Sequence, residues 1–144
     1  MAKIQKSLQI SAPIEQVFDY PLDPDNLPEI WPSLVEVKDI QRTPDGELSS
    51  YKWTYKMARM RFEGTTEITE SIPNQRAVSK DSGGIQGTRI MTFESQEGGT
   101  LLTVDVEYII PIPLVGKLAD PFILRQNENE ADTFLANLKA RMEI

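Results

Sequence analysis

The stretch from residue 47 to residue 72 reads ELSSYKWTYKMARMRFEGTTEITESI. Polar and apolar side chains alternate along most of it, which predicts β-strands with one buried face. The stretch is far longer than an ordinary strand of about 5–6 residues, so the chain must reverse once, near Ala58–Met60. These residues therefore predict an antiparallel hairpin with strands at 47–58 and 60–72.

Similar alternating runs lie on both sides of this hairpin. Further strands are predicted at 2–10, 33–42, 76–82, 85–95 and 100–110. The runs are separated by turn signals at Thr43-Pro-Asp-Gly46, Ile72-Pro-Asn-Gln75, Gly83-Gly84 and Gly98-Gly99. Because short turns join antiparallel neighbours, the pattern predicts an α+β protein with a seven-stranded antiparallel sheet.

Three helices are predicted outside these strands. A short helix follows Pro13, with Ser11 or Ala12 as its cap, and a second starts at Asp23 or Pro24 and ends before Trp31. A long helix is predicted at the C-terminus because apolar residues recur there at steps of three and four, namely Leu124, Ala131, Leu135, Leu138 and Met142.

One helix is too narrow to cover so wide a sheet. Seven strands spaced about 4.8 Å apart span roughly 30 Å, whereas a helix with its side chains is about 10–12 Å across. The sheet is therefore expected to curl around the C-terminal helix and to leave an internal pocket unless large side chains fill it.

The charge balance and two missing residue types exclude several functions. The chain has 15 Lys and Arg against 22 Asp and Glu, a net charge of −7, which disfavours nucleic-acid binding. It has no cysteine and no histidine, so disulfides, thiol nucleophiles and the commonest metal ligands are missing. We expect no metal site and no cofactor, and any acid–base chemistry falls to carboxylates, Tyr, Lys or Arg.

The length and the N-terminus bound the organisation of the chain. Its 144 residues predict a single domain over 1–144. The start MAKIQKSLQI lacks the apolar core of a signal peptide, and no apolar stretch approaches the roughly 18 residues of a membrane span. These features favour a cytoplasmic protein, and they indicate no particular protein partner.

Several short motifs resemble the polyketide cyclase/dehydrase and START-like superfamily, also called SRPBCC or Bet v 1-like. The matching motifs are Ile10-Ser-Ala-Pro13, Glu15-Gln-Val-Phe18, Asp23-Pro24, Phe62-Glu-Gly-Thr-Thr-Glu67, Pro73-Asn-Gln-Arg76, Gly98-Gly-Thr100 with Leu102-Thr103, and Pro111-Ile-Pro-Leu114. The resemblance covers essentially the whole chain. It implies the helix-grip fold, in which a curved seven-stranded antiparallel sheet surrounds a long C-terminal helix. No catalytic motif is recognisable, so the resemblance identifies no catalytic residue.

Strand alternation predicts which side chains face the interior. Apolar, aromatic and methionine side chains suit an irregular hydrophobic ligand, and Tyr and Trp add a polar group. The candidate ligand-binding residues are Trp31, Trp53, Tyr55, Met57, Met60, Phe62, Arg89, Met91, Phe93, Tyr108 and Phe122. Each of them is equally explained as an ordinary core residue.

Two charged features have open interpretations. Arg89 shares a face with Met91 and Phe93, so it either points inward, toward Glu70 or a ligand oxygen, or is turned to solvent by a bulge. The pair Glu128 and Glu130 is interpreted as solvated charge, because residues two apart on a helix do not face each other.

Three functions remain compatible with these patterns. The favoured one is binding or transport of a small hydrophobic molecule, such as a lipid, an isoprenoid or an aromatic polyketide, in an internal cavity. The alternative is a polyketide aromatase/cyclase or dehydratase-type enzyme without metal or cofactor, in which Tyr51, Tyr55, Tyr108 or Arg89 would polarise a carbonyl group. Convergent polar side chains inside the cavity favour the enzyme, and a wholly apolar cavity favours the carrier. A filled interior would favour a protein-interaction domain.

Overall fold

The alternating runs of the sequence form seven strands. The structure is a computed structural model that describes residues 2–57, 60–109 and 116–143, without the side chains of residues 2, 57, 60 and 116–127. The strands are β1 Ala2–Ile10, β2 Leu34–Arg42, β3 Leu48–Met57, β4 Met60–Ile72, β5 Arg76–Gly83, β6 Gln86–Gln96 and β7 Gly99–Ile109. Every boundary lies within one residue of the predicted position.

All seven strands belong to one antiparallel sheet. Their order is β1-β7-β6-β5-β4-β3-β2, so β2 through β7 are joined by successive hairpins and β1 pairs with β7. The strands β1 and β2 are therefore the two edges. In the central hairpin, Tyr51 pairs with Thr66 and Tyr55 pairs with Phe62. The predicted antiparallel sheet is confirmed.

Two short helices and a 3-10 turn connect β1 to β2. Helix α1 spans Ile14–Asp19, the 3-10 turn spans Pro24–Asn26, and helix α2 spans Leu27–Ile30. Asp23 caps the 3-10 turn by accepting a hydrogen bond from the backbone N–H of Asp25 at 3.1 Å. The helical segment thus begins at Pro24 and ends before Trp31 as predicted, but its first three residues form a 3-10 turn and α2 itself begins at Leu27.

The predicted cap of α1 is wrong. Pro13, with an extended backbone, occupies the N-cap position that was expected for Ser11 or Ala12. Those two residues are held by distant partners instead. The backbone N–H of Ser11 donates to Glu143, and the carbonyl of Ala12 accepts from the Thr100 hydroxyl.

A long C-terminal helix, α3, spans Gly116–Met142 and packs against β1, α1 and α2. Among its described residues, Ala131, Phe134, Leu135 and Leu138 are buried, as the three- and four-residue spacing predicted, and Met142 is partly buried. The side chain of Leu124 lies outside the described residues. The ring of Phe134 stacks on Trp31 with 4.1 Å between centroids. No helix in the described ranges is long and apolar enough to cross a membrane.

The buried hydrophobic residues form two groups. The main core joins α1, α2 and α3 to the inner face of the sheet, and it includes Phe18, Phe93 and Phe134. A small second group consists of Ile4, Tyr108 and Ala131. The division matters because the site described below is lined by members of both groups.

A glycine makes room for the largest side chain of β3. Gly64 on β4 pairs with Trp53, and the indole ring lies across the glycine position. A Cβ atom at Gly64 would overlap both the indole ring and the backbone carbonyl oxygen of Ser82. Any larger residue would therefore force the two strands or the ring to move.

We predict that Gly64→Ala destabilises the fold by about 1–3 kcal/mol, the usual penalty for overpacking a filled interior. Thr65→Ala, at the adjacent position, is the control, and we expect a loss under about 1 kcal/mol because only strand propensity changes. The free energies come from urea unfolding followed by tryptophan fluorescence. Equal losses in the two variants would contradict the proposed overlap.

Candidate functional site

A cavity of about 80 Å³ lies between α3 and the inner face of the sheet. Residues from β1, β3, β5, β6, β7 and α3 line it, together with Trp31 and Ile85. The full lining among the described residues is Ile4, Trp31, Trp53, Tyr55, Asp81, Ile85, Arg89, Val106, Tyr108, Glu130 and Ala131. A neighbouring space of about 10 Å³ shares five of these residues and extends to Leu27, Leu34, Tyr51 and Thr66.

Strand register brings the polar side chains of this lining together. On β5, Ala77 and Ser79 are buried, and Asp81 follows them on the same face. Asp81 pairs with Thr66 on β4. Arg89 pairs with Ser79 on one side and with Val106 on the other. Period-two alternation across adjacent strands therefore gathers an acid, a hydroxyl and a guanidinium on one patch of the inner face.

Arg89 places a cation beneath the helix. Its Nη2 donates a hydrogen bond to the Tyr51 hydroxyl at 3.4 Å, and its Cζ lies 6.0 Å from the centre of the Trp31 ring. Its Nε is buried and has no hydrogen-bond partner. Burial lowers the pKa of the guanidinium, but the neighbouring Tyr51 and Asp81 outweigh it, so this pKa lies above its ordinary value. Arg89 therefore keeps its charge, and its Nε is a buried donor without a partner.

Trp53 contributes a second free donor to the same cavity. The residue is 3% exposed, and its indole Nε1 is buried without a hydrogen-bond partner. Its ring meets the ring of Tyr55 edge to face at 5.3 Å. Burial raises the pKa of Tyr55 well above its usual value, and the nearby Arg89 only partly opposes this shift. The Tyr55 phenol therefore stays protonated and is a donor as well.

Two carboxylates complete the polar part of the lining. Asp81 accepts a hydrogen bond from the Thr66 hydroxyl through Oδ1. Glu130 accepts two from Ser33, one from the backbone N–H at 2.6 Å and one from the hydroxyl at 3.0 Å. In the described part of the chain, no three acidic side chains are arranged to hold a metal ion.

The predicted ligand-binding residues fall into three groups. Five line the cavity, and they are Trp31, Trp53, Tyr55, Arg89 and Tyr108. Three are buried in the main core away from the cavity lining, and they are Phe62, Met91 and Phe93. The side chains of the remaining three, Met57, Met60 and Phe122, lie outside the described residues.

The structure decides the two interpretations of Arg89. The residue points inward, but Glu70 is not its partner. A register shift between Ile68 and Glu70 in the β4–β5 ladder changes the face that Glu70 occupies. Glu70 is exposed and forms an ion pair with Arg76, with 3.4 Å between the nitrogen and the oxygen.

The sequence interpretation missed both carboxylates of the cavity. Asp81 shares its parity with Ala77 and Ser79, and this signal was present in the alternation of β5. Glu130 was interpreted as solvated charge, which is wrong. It lies four residues before Phe134, on the face that α3 turns to the sheet, and its partner Ser33 is distant in sequence.

A family comparison identifies the chain as a whole. The sequence pattern described as polyketide cyclase/dehydrase and lipid transport matches residues 1–143. The chain belongs to this family. No curated relative matches it by sequence.

Solved structures of similar fold agree with this assignment. A protein from Thermus thermophilus superposes with a TM-score of 0.85 at 16% identity, covering 98% of this chain and 97% of that one. A START superfamily protein from Mycobacterium smegmatis superposes with a TM-score of 0.81 at 16% identity, covering 98% of this chain and 97% of that one. The Zhui aromatase/cyclase of a Streptomyces species superposes with a TM-score of 0.83 at 12% identity, covering 99% of this chain and 93% of that one. This polyketide cyclase/dehydrase family member therefore has the START-like, or helix-grip, fold that its motifs implied.

We predict that Glu130→Ala lowers the free energy of unfolding by about 1–3 kcal/mol, because the Ser33 N–H and hydroxyl lose their acceptor. Asn129→Ala, at the exposed neighbouring position of α3, should change it by less than about 0.5 kcal/mol. Urea unfolding at neutral pH measures both values. A Glu130→Ala variant as stable as Asn129→Ala would show that the Ser33–Glu130 contact does not hold α3 in place.

Proposed function

We propose that this protein binds a small hydrophobic molecule carrying a hydrogen-bond acceptor, and that the acceptor is held in the cavity beneath α3. The observation that carries the proposal is the pair of unpartnered donors, Trp53 Nε1 and Arg89 Nε, in the lining of one cavity. Buried donors are almost always hydrogen-bonded in folded proteins. Two unpartnered donors in the lining of one cavity are therefore best explained by a bound ligand that supplies the missing acceptor.

The remainder of the lining suits the apolar body of such a ligand. Ile4, Val106 and Ala131 form one side of the cavity, and Trp31 forms part of another. Removing apolar surface from water contributes about 25 cal/mol per Å². An acceptor that satisfies a buried donor also removes a penalty of about 1–3 kcal/mol. Lipids, isoprenoids and aromatic polyketides all combine an apolar body with oxygen acceptors.

The volume limits what the described cavity holds. A cavity of about 150 Å³ accepts one benzene molecule in an engineered protein interior, and this cavity measures about 80 Å³. It therefore accommodates the acceptor group and a small part of the apolar body. A whole lipid or polyketide, and also a probe with a single phenyl ring, needs the lining side chains to move apart on binding.

The direct test uses the indole N–H signals in a ¹⁵N-labelled sample. The chain has two tryptophans, so two signals are expected, and Trp53→Phe identifies the one from Trp53. We predict that acetophenone moves the Trp53 signal to lower field as its carbonyl oxygen accepts the N–H. α-Methylstyrene, which has a methylene group in place of that oxygen, should bind about tenfold more weakly, the equivalent of about 1.4 kcal/mol.

Two variants sharpen the same experiment. Trp53→Phe, in which binding is followed through the remaining Trp31 indole signal, should weaken acetophenone binding severalfold and leave α-methylstyrene binding nearly unchanged. Met91→Leu, a conservative change in the main core outside the cavity lining, should alter neither. Equal binding of the two probes to the unaltered protein would argue against an acceptor site. So would the lack of stabilisation by any member of a thermal-shift panel of lipids, isoprenoids and aromatic polyketides.

A second candidate function is that of a cyclase-type enzyme, and the convergence of polar groups favours it. Trp53 and Arg89 donors face the same cavity as the carboxylates of Asp81 and Glu130. A carboxylate near a bound ketone can take a proton from the carbon beside the carbonyl. The C–H electron pair then forms a C=C bond, and the carbonyl oxygen becomes an enolate oxygen that the donors stabilise. Attack of that carbon on a second carbonyl of the same molecule would close a ring.

Asp81 is the better placed of the two acids for this step. Ser33 donates to both oxygens of Glu130, whereas Thr66 donates to Oδ1 of Asp81. We predict that the protein accelerates exchange of the acetophenone methyl protons for deuterium in D₂O, and that Asp81→Asn abolishes the acceleration. Proton NMR follows the exchange. A rate equal to that of the buffer alone would leave binding as the function.

A further inference from the structure

The charges in the cavity lining are unequal. Arg89 carries one positive charge, and Asp81 and Glu130 carry one negative charge each. Among the described lining residues no second cation balances them. We infer that the site selects a neutral carbonyl compound over a carboxylate of the same shape, and that Asp81 and Glu130 are the residues that set this selectivity. The inference rests on the proposed binding function and names the chemical class of its ligand.

Both acids of the cavity are used as hydrogen-bond acceptors. Asp81 accepts from the Thr66 hydroxyl, and Glu130 accepts from both the backbone N–H and the hydroxyl of Ser33. Ionised carboxyl groups offer only acceptors, which is how both groups are used here. A ligand carboxylate would therefore meet two like charges in a space with little water to screen them.

Arg89 does not reverse this balance. Its charge interacts with Asp81, and one of its nitrogens donates to Tyr51. No carboxylate among the described residues forms an ion pair with it within 4.0 Å, so no bidentate acid partner is preformed at its guanidinium. The Nε N–H of Arg89 and the indole N–H of Trp53 are both buried without a partner, and both residues line the cavity. The guanidinium contributes one positive charge against two negative charges, so the lining still disfavours a ligand carboxylate relative to a neutral carbonyl group.

The test compares acetophenone with benzoate, which share a phenyl ring and differ in the charge of the oxygen-bearing group. Their dissociation constants are measured at neutral pH from the shift of the Trp53 indole N–H signal. We expect the unaltered protein to bind acetophenone at least about tenfold more tightly than benzoate, since like charges disfavour a wrong ligand. Benzoate binding that equals or exceeds acetophenone binding would overturn the selectivity and leave the proposed binding function standing.

Charge-removing variants assign the selectivity to its residues. Asp81→Asn and Glu130→Gln should each lower the ratio of the benzoate to the acetophenone dissociation constant severalfold, mainly by tightening benzoate binding. Glu128→Gln changes the net charge of the chain equally but lies outside the cavity lining, so it should keep the original ratio. Glu130→Gln retains an oxygen that accepts from Ser33, and it keeps the test valid if Asp81→Asn fails to fold.

Each remaining outcome is informative. An unchanged ratio in both Asp81→Asn and Glu130→Gln would overturn the assignment to these acids. A ratio that shifts equally in Glu128→Gln would show that the net charge of the protein, and not the cavity, sets the preference. Absence of binding by both probes would overturn the proposed function together with the selectivity.

Discussion

One long helix and two short ones cover one face of a seven-stranded sheet, and most features of the interior follow from the difference between the width of the long helix and that of the sheet. Among its described residues, helix α3 buries Ala131, Phe134, Leu135 and Leu138. Large rings fill much of the rest, with Trp31 stacked on Phe134 and Phe18 packed edge to face on Phe93 at 5.0 Å. The space that they leave is the cavity between the main core and the small group of Ile4, Tyr108 and Ala131.

The polar groups of the interior are concentrated at this cavity. The main core holds the aromatic contacts and the fully buried aliphatic side chains, and it supplies hydrophobic stabilisation. The cavity is lined by a buried guanidinium, two donors without a partner and two carboxylates. Burying such groups costs free energy unless each is hydrogen-bonded or paired with an opposite charge. A protein shaped for stability alone would fill this space with hydrocarbon. Trp31 and Trp53 belong to both regions, so under the proposed function the same rings serve the hydrophobic core and the binding site.

The sequence predicts the fold more completely than the site. Alternation and turn residues locate all seven strands, because both signals are local. Alternation also predicts that Trp53, Tyr55 and Arg89 face inward, and they do. It fails for Glu70, because a bulge after Ile68 breaks the period of two. It gives no warning of Glu130, whose acceptor role depends on Ser33, a residue 97 positions away.

The same residues show why a buried side chain and a ligand-lining side chain look alike in sequence. Phe62, Met91 and Phe93 alternate in the same way as Trp53 and Tyr55, yet the first three are packed in the main core and the last two border the cavity. What separates them is the position of α3 over the sheet, and tertiary contacts determine it. The polar residues Asp81 and Arg89 are the better signal, since a charge on an inward face requires either a partner or a ligand.

Those tertiary contacts join the wall of the cavity to the helix that covers it. Trp31 stacks on Phe134, Ser33 donates to Glu130, and the Asn137 side chain donates to the carbonyl of Ile30 at 3.2 Å. Residues 30–33 are therefore tied to α3, and the carbonyl of Ser33 also accepts a hydrogen bond from the Lys56 N–H of β3 at 2.8 Å. Because Trp31 and Glu130 both line the cavity, a displacement of α3 away from the strands would enlarge the space and carry the aromatic wall and the carboxylate with it. The donors of Trp53 and Arg89 would stay on the sheet. Under the proposed function, such a displacement on ligand entry would change the distance between the donors on the sheet and Glu130 on α3.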